Sequence, residues 1–127
     1  MSFATDILHL MTNDTSLNTY CDGGIKYEYL PENFDLDLDW IVYSFNKTSA
    51  ISCMDGDIAF TNYAFSVKII STSTEDLETI SDRLVDYLHG NEYGGIIDII
   101  FSGDSHTLDL EKRIYMNTLN FDCIYST

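Results

Sequence analysis

The sequence predicts an α+β fold, an antiparallel β-sheet with two α-helices packed on one face, over the single span 1–127. Three observations lead there. Stretches alternating apolar and polar residues dominate the chain and are separated by hairpin-type turn signals. Only two stretches carry helical spacing. No regular strand–helix–strand alternation of the kind that builds a parallel sheet is present.

Each element follows from local chemistry. Ser2 can cap a first helix over residues 3–11, with Phe3, Ile7, Leu8 and Met11 as its apolar face. Asn13, Asp14, Thr15 and Ser16 end it or cap a short turn reaching Tyr20, and Asp22-Gly23-Gly24 is a turn signal. Residues 25–30 read as a strand with Ile25, Tyr27 and Tyr29 on one face. Residues 40–45 are apolar almost throughout and read as a central strand. A polar loop is expected over 46–50, an extended run over 51–54 and a hairpin turn at Asp55-Gly56.

A long strand follows over 57–71, with Tyr63, Phe65, Val67 and Ile69 on its covered face. Ser73 and Asp76 stand at capping-box spacing before a helix over 75–89. Leu77, Ile80, Leu84 and Leu88 form its stripe, Glu75, Asp76 and Glu78 suit its positive end, and Gly90 suits the position just past its end. A short strand over 96–101, a turn at 102–105, an extended piece over 108–111 and a final strand over 114–125 complete the order. Tyr115, Leu119, Phe121, Cys123 and Tyr125 share one face of that last strand.

Composition narrows the function. The chain has 127 residues, 45% hydrophobic and 13% aromatic, so a disordered acidic tail does not fit. No apolar run approaches the roughly 20 residues of a membrane helix, and the first residues carry no secretory signal pattern. Against 21 Asp and Glu there are 6 Lys and Arg, a formal charge of −15, which disfavours direct binding to a phosphate backbone. The three cysteines, Cys21, Cys53 and Cys123, are odd in number and lack a CxxC pair, so they read as buried hydrophobes in a reducing compartment.

Acid is densest from Glu32 to Trp40, where Asp35, Asp37 and Asp39 alternate with Phe34, Leu36, Leu38 and Trp40. In an extended chain this sends carboxylates one way and apolar groups the other. The apolar set suits an apolar surface, either of its own subunit or of a neighbour. The carboxylates suit a solvated face or a contact surface. The Asp35-x-Asp37-x-Asp39 spacing resembles the start of a calcium loop, but Trp40 and Asn46 stand where glycine and glutamate are needed.

No catalytic or metal-binding set is expected. His9, His89 and His106 are scattered, no GxSxG elbow exists, and Gly94-Gly95 is followed by no lysine. Asp98, an isolated acid in an apolar strand, fits an outward position on a solvated sheet face. No cofactor is expected, and an enzyme is disfavoured.

The order of elements resembles the tail terminator, or minor tail completion, family of long-tailed bacteriophages. The resemblance lies in the helix ending near Asn13-Asp14, the stretch from Ile25 to Glu32, the apolar strand Trp40-Ile41-Val42-Tyr43-Ser44, the strand-to-helix passage from Phe65 to Leu77, and the closing stretch from Glu111 to Asp122. The long acidic segment and the scarcity of basic residues depart from the family pattern.

The resemblance implies a virion subunit made in the host cytoplasm and placed at the head–tail junction. It implies a homo-oligomeric ring, typically a hexamer, that caps the tail tube, stops its polymerisation and joins it to a head-side connector or stopper. DNA would pass through without specific binding, and no membrane is involved. A channel lined by carboxylates, for which the resemblance offers Asp35, Asp37 and Asp39, would repel phosphates and let a duplex slide. Two alternatives stay open: another neck component such as a head-completion stopper, and an acidic DNA mimic that inhibits a nucleic-acid-binding protein.

Overall fold

The structure, a computed structural model, describes residues 3–13, 24–27, 39–52, 58–109 and 114–126. The elements run α1 (Phe3–Asn13), β1 (Gly24–Tyr27), β2 (Trp40–Ser52), β3 (Ile58–Ser71), α2 (Thr74–Leu88), β4 (Ile96–Asp109) and β5 (Ile114–Ser126). The strands form one sheet in the order β1-β2-β3-β5-β4.

β2, β3, β5 and β4 pair antiparallel, as expected. β1 departs from that rule and runs parallel to β2, with Ile25 opposite Ile41 and Tyr27 opposite Tyr43. About a dozen residues connect the two strands, enough for the crossover that a parallel pair needs. β5 inserts between β3 and β4, because α2 carries the chain over the sheet before β4 and β5 pair.

Both helices lie on one face, and the sheet register explains the core. Ile41 and Tyr43 of β2 line up across the sheet with Ile69, Val67 and Phe65 of β3 and with Leu119, Phe121 and Cys123 of β5. These side chains join Phe3, Ile7, Leu10 and Met11 of α1 and Leu77, Ile80, Leu84 and Leu88 of α2 in one buried cluster. Burying each large aliphatic group contributes about 1.5–3 kcal/mol. The α1 face is rotated slightly from expectation: Leu10 is buried, whereas Leu8 is 47% exposed. His9 also faces outward, its ring 5.7 Å from that of Tyr93.

α2 starts as its sequence predicts. Ser73 is the N-cap, and its hydroxyl accepts from the Asp76 backbone N–H. Gly90 follows the helix with φ of 76°, a left-handed conformation that favours glycine. Tyr87 donates its hydroxyl to the Leu10 carbonyl at 2.8 Å and so ties α2 to α1.

Two strands run through places where a loop or turn was expected. β2 continues through residues 46–50, with a register shift between Lys47 and Ser49. These polar residues are exposed and paired with β3, so they form a strand end that projects past the core. β4 continues through residues 102–105, and its last residues absorb the expected separate piece at 108 and 109. A bulge between Phe101 and Gly103, with Gly103 at φ 144°, takes up the turn-like composition without breaking the pairing. The expected Asp55-Gly56 turn, the Ser2 cap, Cys21 and Cys53 lie outside the described residues. Cys123 is fully buried and unpaired by disulfide, as its strand position predicts.

Candidate functional site

The surface features of the molecule arise from what the helices leave uncovered. β4 is an edge strand, and its outer side is treated differently along its length. In its first half the turn after α2 covers the edge. Gly90 N–H donates to the Ile99 carbonyl at 2.7 Å, and Phe101 N–H donates to His89 Nδ1 at 3.0 Å. His89, the residue at the C-cap of α2, therefore seals a strand edge.

Past the bulge the edge opens. The register turns the backbone groups of Asp104, His106 and Leu108 outward, since Gly103, Ser105 and Thr107 face β5. Among the described residues none pairs with that stretch of backbone.

A groove of about 560 Å³ runs between this open edge and the first half of α2. Leu77, Ser81 and Asp82 of α2 form one wall, Asp104 and Leu108 the other, and Tyr115 lies along the floor. A second hollow of about 350 Å³ extends it past Val85, Asp86 and Phe101. The rim is acidic, with Glu78, Asp82, Asp86 and Asp104. His106 Nε2 lies 3.3 Å from Asp104 Oδ2 in an exposed pair.

Asn117 sits in the groove lining and is 1% exposed. Its Nδ2 donates to Ser81 Oγ at 2.8 Å, and Ser81 in turn donates to the Leu77 carbonyl at 2.7 Å. Asn117 Oδ1 has no hydrogen-bond partner. A buried acceptor left unpaired costs free energy and is ready to take a donor.

A smaller apolar hollow of about 300 Å³ lies at the other end of the sheet, lined by Ala4, Leu8, Tyr27, Tyr43 and Phe45. Tyr27 is 43% exposed, its ring 5.3 Å from Tyr43 and 5.4 Å from Phe45. Burial, and then the neighbouring Tyr27, push the Tyr43 hydroxyl above its ordinary pKa. The sheet face opposite the helices presents a row of small polar groups. Ser44, Ser66 and Asn120 align across three strands, and Ser66 Oγ donates to Asn120 Oδ1 at 3.1 Å. Asp98 and Asp122 lie on the same face, so the outward position expected for Asp98 holds. Its carboxylate accepts from the Ile99 N–H.

Of the residues singled out in the acidic segment, Phe34, Asp35, Leu36, Asp37 and Leu38 lie outside the described residues. The other two are turned into their own chain. Trp40 is 7% exposed and packs with Ile70 and Ile114 in a separate small cluster on the far face of the sheet. Asp39 is also buried, its Oδ1 accepting from Ser71 Oγ at 2.7 Å. Ser71 Oγ also accepts from the Ser73 N–H, so this carboxylate links the entry of β2 to the start of α2. Both groups hold the fold and present little surface to a neighbour or a channel.

Asp6 was not singled out by its sequence. It lies in the apolar stripe of α1 between Phe3 and Leu10 and is fully buried. Its Oδ2 accepts from the Gly95 N–H at 3.0 Å and from the Tyr125 hydroxyl at 3.1 Å. A lone acid on an otherwise apolar helix face was the available signal. Tyr125 has its pKa raised by burial and then by its bond to Asp6. This constellation fastens α1 to the 94–95 turn and β5. Among the described residues no cluster of metal-ligating groups occurs, and none of the helices is long and apolar enough to cross a membrane.

The chain matches no protein-family model, and no curated protein matches it in sequence. Among solved structures it is similar to a chain from the virion of a native gene transfer agent particle. The two share 13% identity with a TM-score of 0.79, and the match covers 99% of this chain and 96% of the other. The likeness is one of fold, and it takes in the whole arrangement of sheet and helices rather than a fragment.

Proposed function

We propose that this chain is a structural subunit of a phage-like virion, and that it works as a ring-forming tail terminator at the head–tail junction. The observation that carries the virion role is the end-to-end fold match with a chain of a gene transfer agent virion. The finer role rests on the resemblance of the sequence to tail terminators and on surfaces suited to assembly.

The mechanism is contact, with no bond made or broken. An apolar hollow beside β1 and the exposed Ile97 and Ile100 at the start of β4 give each copy two different surfaces for its neighbours. Unlike surfaces on one subunit make head-to-tail contacts, which close into rings when the rotation allows. A closed ring on the end of a tube blocks the next tube subunit and presents its far side to a head-side connector. The sheet face opposite the helices, with its hydroxyls, amides and the carboxylates of Asp98 and Asp122, suits a channel through which DNA slides without sticking. A net charge of −15 per copy gives the same sign of effect over the whole ring.

The charge also fits a DNA mimic that occupies a basic groove, the second reading with an observation behind it. Negative-stain images of the purified full-length protein, together with labelling of intact particles, separate the two. Annular oligomers and label at the neck support the terminator. A strict monomer at high concentration, absent from particles but captured by a basic nuclease or repressor, supports the mimic instead. Label one layer nearer the head assigns the chain to a stopper.

A further inference from the structure

We propose that the groove between α2 and β4 receives an extended, lysine- or arginine-bearing segment of another protein, which adds as a strand along the open edge of β4 at residues 104–108. The inference deepens the assembly reading above and rests on it for the existence of such a partner.

Four features of the groove converge. The backbone groups of Asp104, His106 and Leu108 point outward, which is the arrangement that strand addition uses. The hollow beside them, about 560 Å³, has room for the side chains that an added strand would direct toward α2. Its interior offers Leu77, Leu108 and Tyr115 for apolar contact, while Glu78, Asp82 and Asp104 line its rim. Asn117 Oδ1, buried in the lining and unpartnered, is an acceptor waiting for a donor.

Charge decides the occupant. The described residues that line the groove include no lysine or arginine. A second copy of this chain would bring 21 acids and only 6 basic residues toward that rim. Like charges placed opposite each other suppress the wrong partner, whereas lysine or arginine side chains directed toward α2 lay their apolar stems on the floor and bring their charged ends to the rim. The closed first half of the edge, sealed by His89 and Gly90, sets where the added strand must stop.

The test uses the full-length protein and two synthetic peptides of equal charge. One alternates lysine with valine; the other carries the same number of lysines separated by pairs of prolines, so that neither of its edges keeps an unbroken row of backbone donors. Backbone amide NMR shifts and hydrogen exchange report the site. The lysine–valine peptide should perturb and protect the amides of 104–108, and the lysine–proline peptide should not. His106→Pro removes an outward donor on the edge strand without touching the β5 ladder, and should weaken binding about tenfold. Asp82→Asn, which leaves the edge alone, should weaken it about threefold at low salt.

Equal binding of both peptides, or shifts scattered over the acidic surface, would overturn the proposal. So would His106→Pro if it changed the size of the protein's own assembly and left the peptide unaffected, since the edge would then join copies. A protein that stays monomeric yet shows the expected peptide map sinks the ring and leaves the groove assignment standing.

Discussion

Replacing Asp6 by alanine should loosen the join between α1 and the sheet, and the size of the effect can be worked from its partners. The substitution removes the acceptor used by the half-buried Gly95 N–H and by the buried Tyr125 hydroxyl. Each unsatisfied donor costs about 1–3 kcal/mol. Two terms act the other way. Asp6 Oδ1 has no partner in the native fold, so its removal relieves a buried polar atom. Removing one of 21 acids also eases the self-repulsion of a chain at −15. The net expectation is a loss of about 2–4 kcal/mol. In urea, with a slope of about 1.5 kcal/mol/M for a domain of this size, the midpoint should fall by about 2 M.

Asp6→Asn is the control. It shares the charge relief and keeps an acceptor oxygen, so it should cost about half as much. A Gly94→Ala change approaches the same contact from the other side. Gly94 has φ of 57°, and an added Cβ would stand 2.7 Å from the Asp6 carboxyl atoms. Asp6→Ala within about 0.5 kcal/mol of the parent, or Asp6→Asn as costly as Asp6→Ala, would refute the idea that this carboxyl holds the helix by accepting those two bonds.

Three further outcomes follow from the structure. Trp40→Ala should destabilise the subunit itself by about 3–5 kcal/mol in a denaturant titration, because the ring is packed in its own chain with Ile70 and Ile114; a loss confined to oligomer formation would return Trp40 to a subunit interface. Burial raises the Cys123 thiol from 9.0 to about 12, with the charges of Asp122 and Asp98 adding to the shift, and Tyr43 and Tyr125 are raised above 10.0. These groups are neutral when protonated, so the stability they confer is complete below pH 9 and drains away as pH climbs toward 12; thermal melts that hold constant from pH 8 to 11 would contradict it. Added sodium chloride should strengthen association of copies by screening repulsion between chains at −15, and sedimentation showing the reverse would mean that ion pairs hold the assembly.

Much of the fold is legible in the residues because period and capping act locally. The helix after Ser73 follows from one cap, one stripe of Leu77, Ile80, Leu84 and Leu88, and one glycine at its end. The covered face of β3 follows from strict alternation between Tyr63 and Ile69. What escaped were features set by pairing. Residues 46–50 and 102–105 have loop composition, yet they extend β2 and β4 because a partner strand satisfies their backbone while their side chains face solvent. The parallel run of β1 depends on a crossover, which no local pattern encodes.

The site was less legible than the fold. Alternation at Asp39 and Trp40 predicted a divided surface, with acid out and ring in or across a contact. Trp40 does turn inward onto its own chain, against Ile70 and Ile114, but Asp39 is enclosed as well, because Ser71 offers it a hydroxyl. The groove beside α2 is assembled from three elements distant in sequence, so its acids were visible only as part of a diffuse excess. The burial of Asn117 against Ser81 exists only once α2 crosses the sheet.

The measurement closest to the central claim is the length of tail tubes in particles assembled with and without this chain. Tubes built in its absence should overrun their normal length and remain unjoined to heads, and supplying the protein should restore both. Tubes of normal length, already joined to heads, in particles lacking the chain would contradict the account.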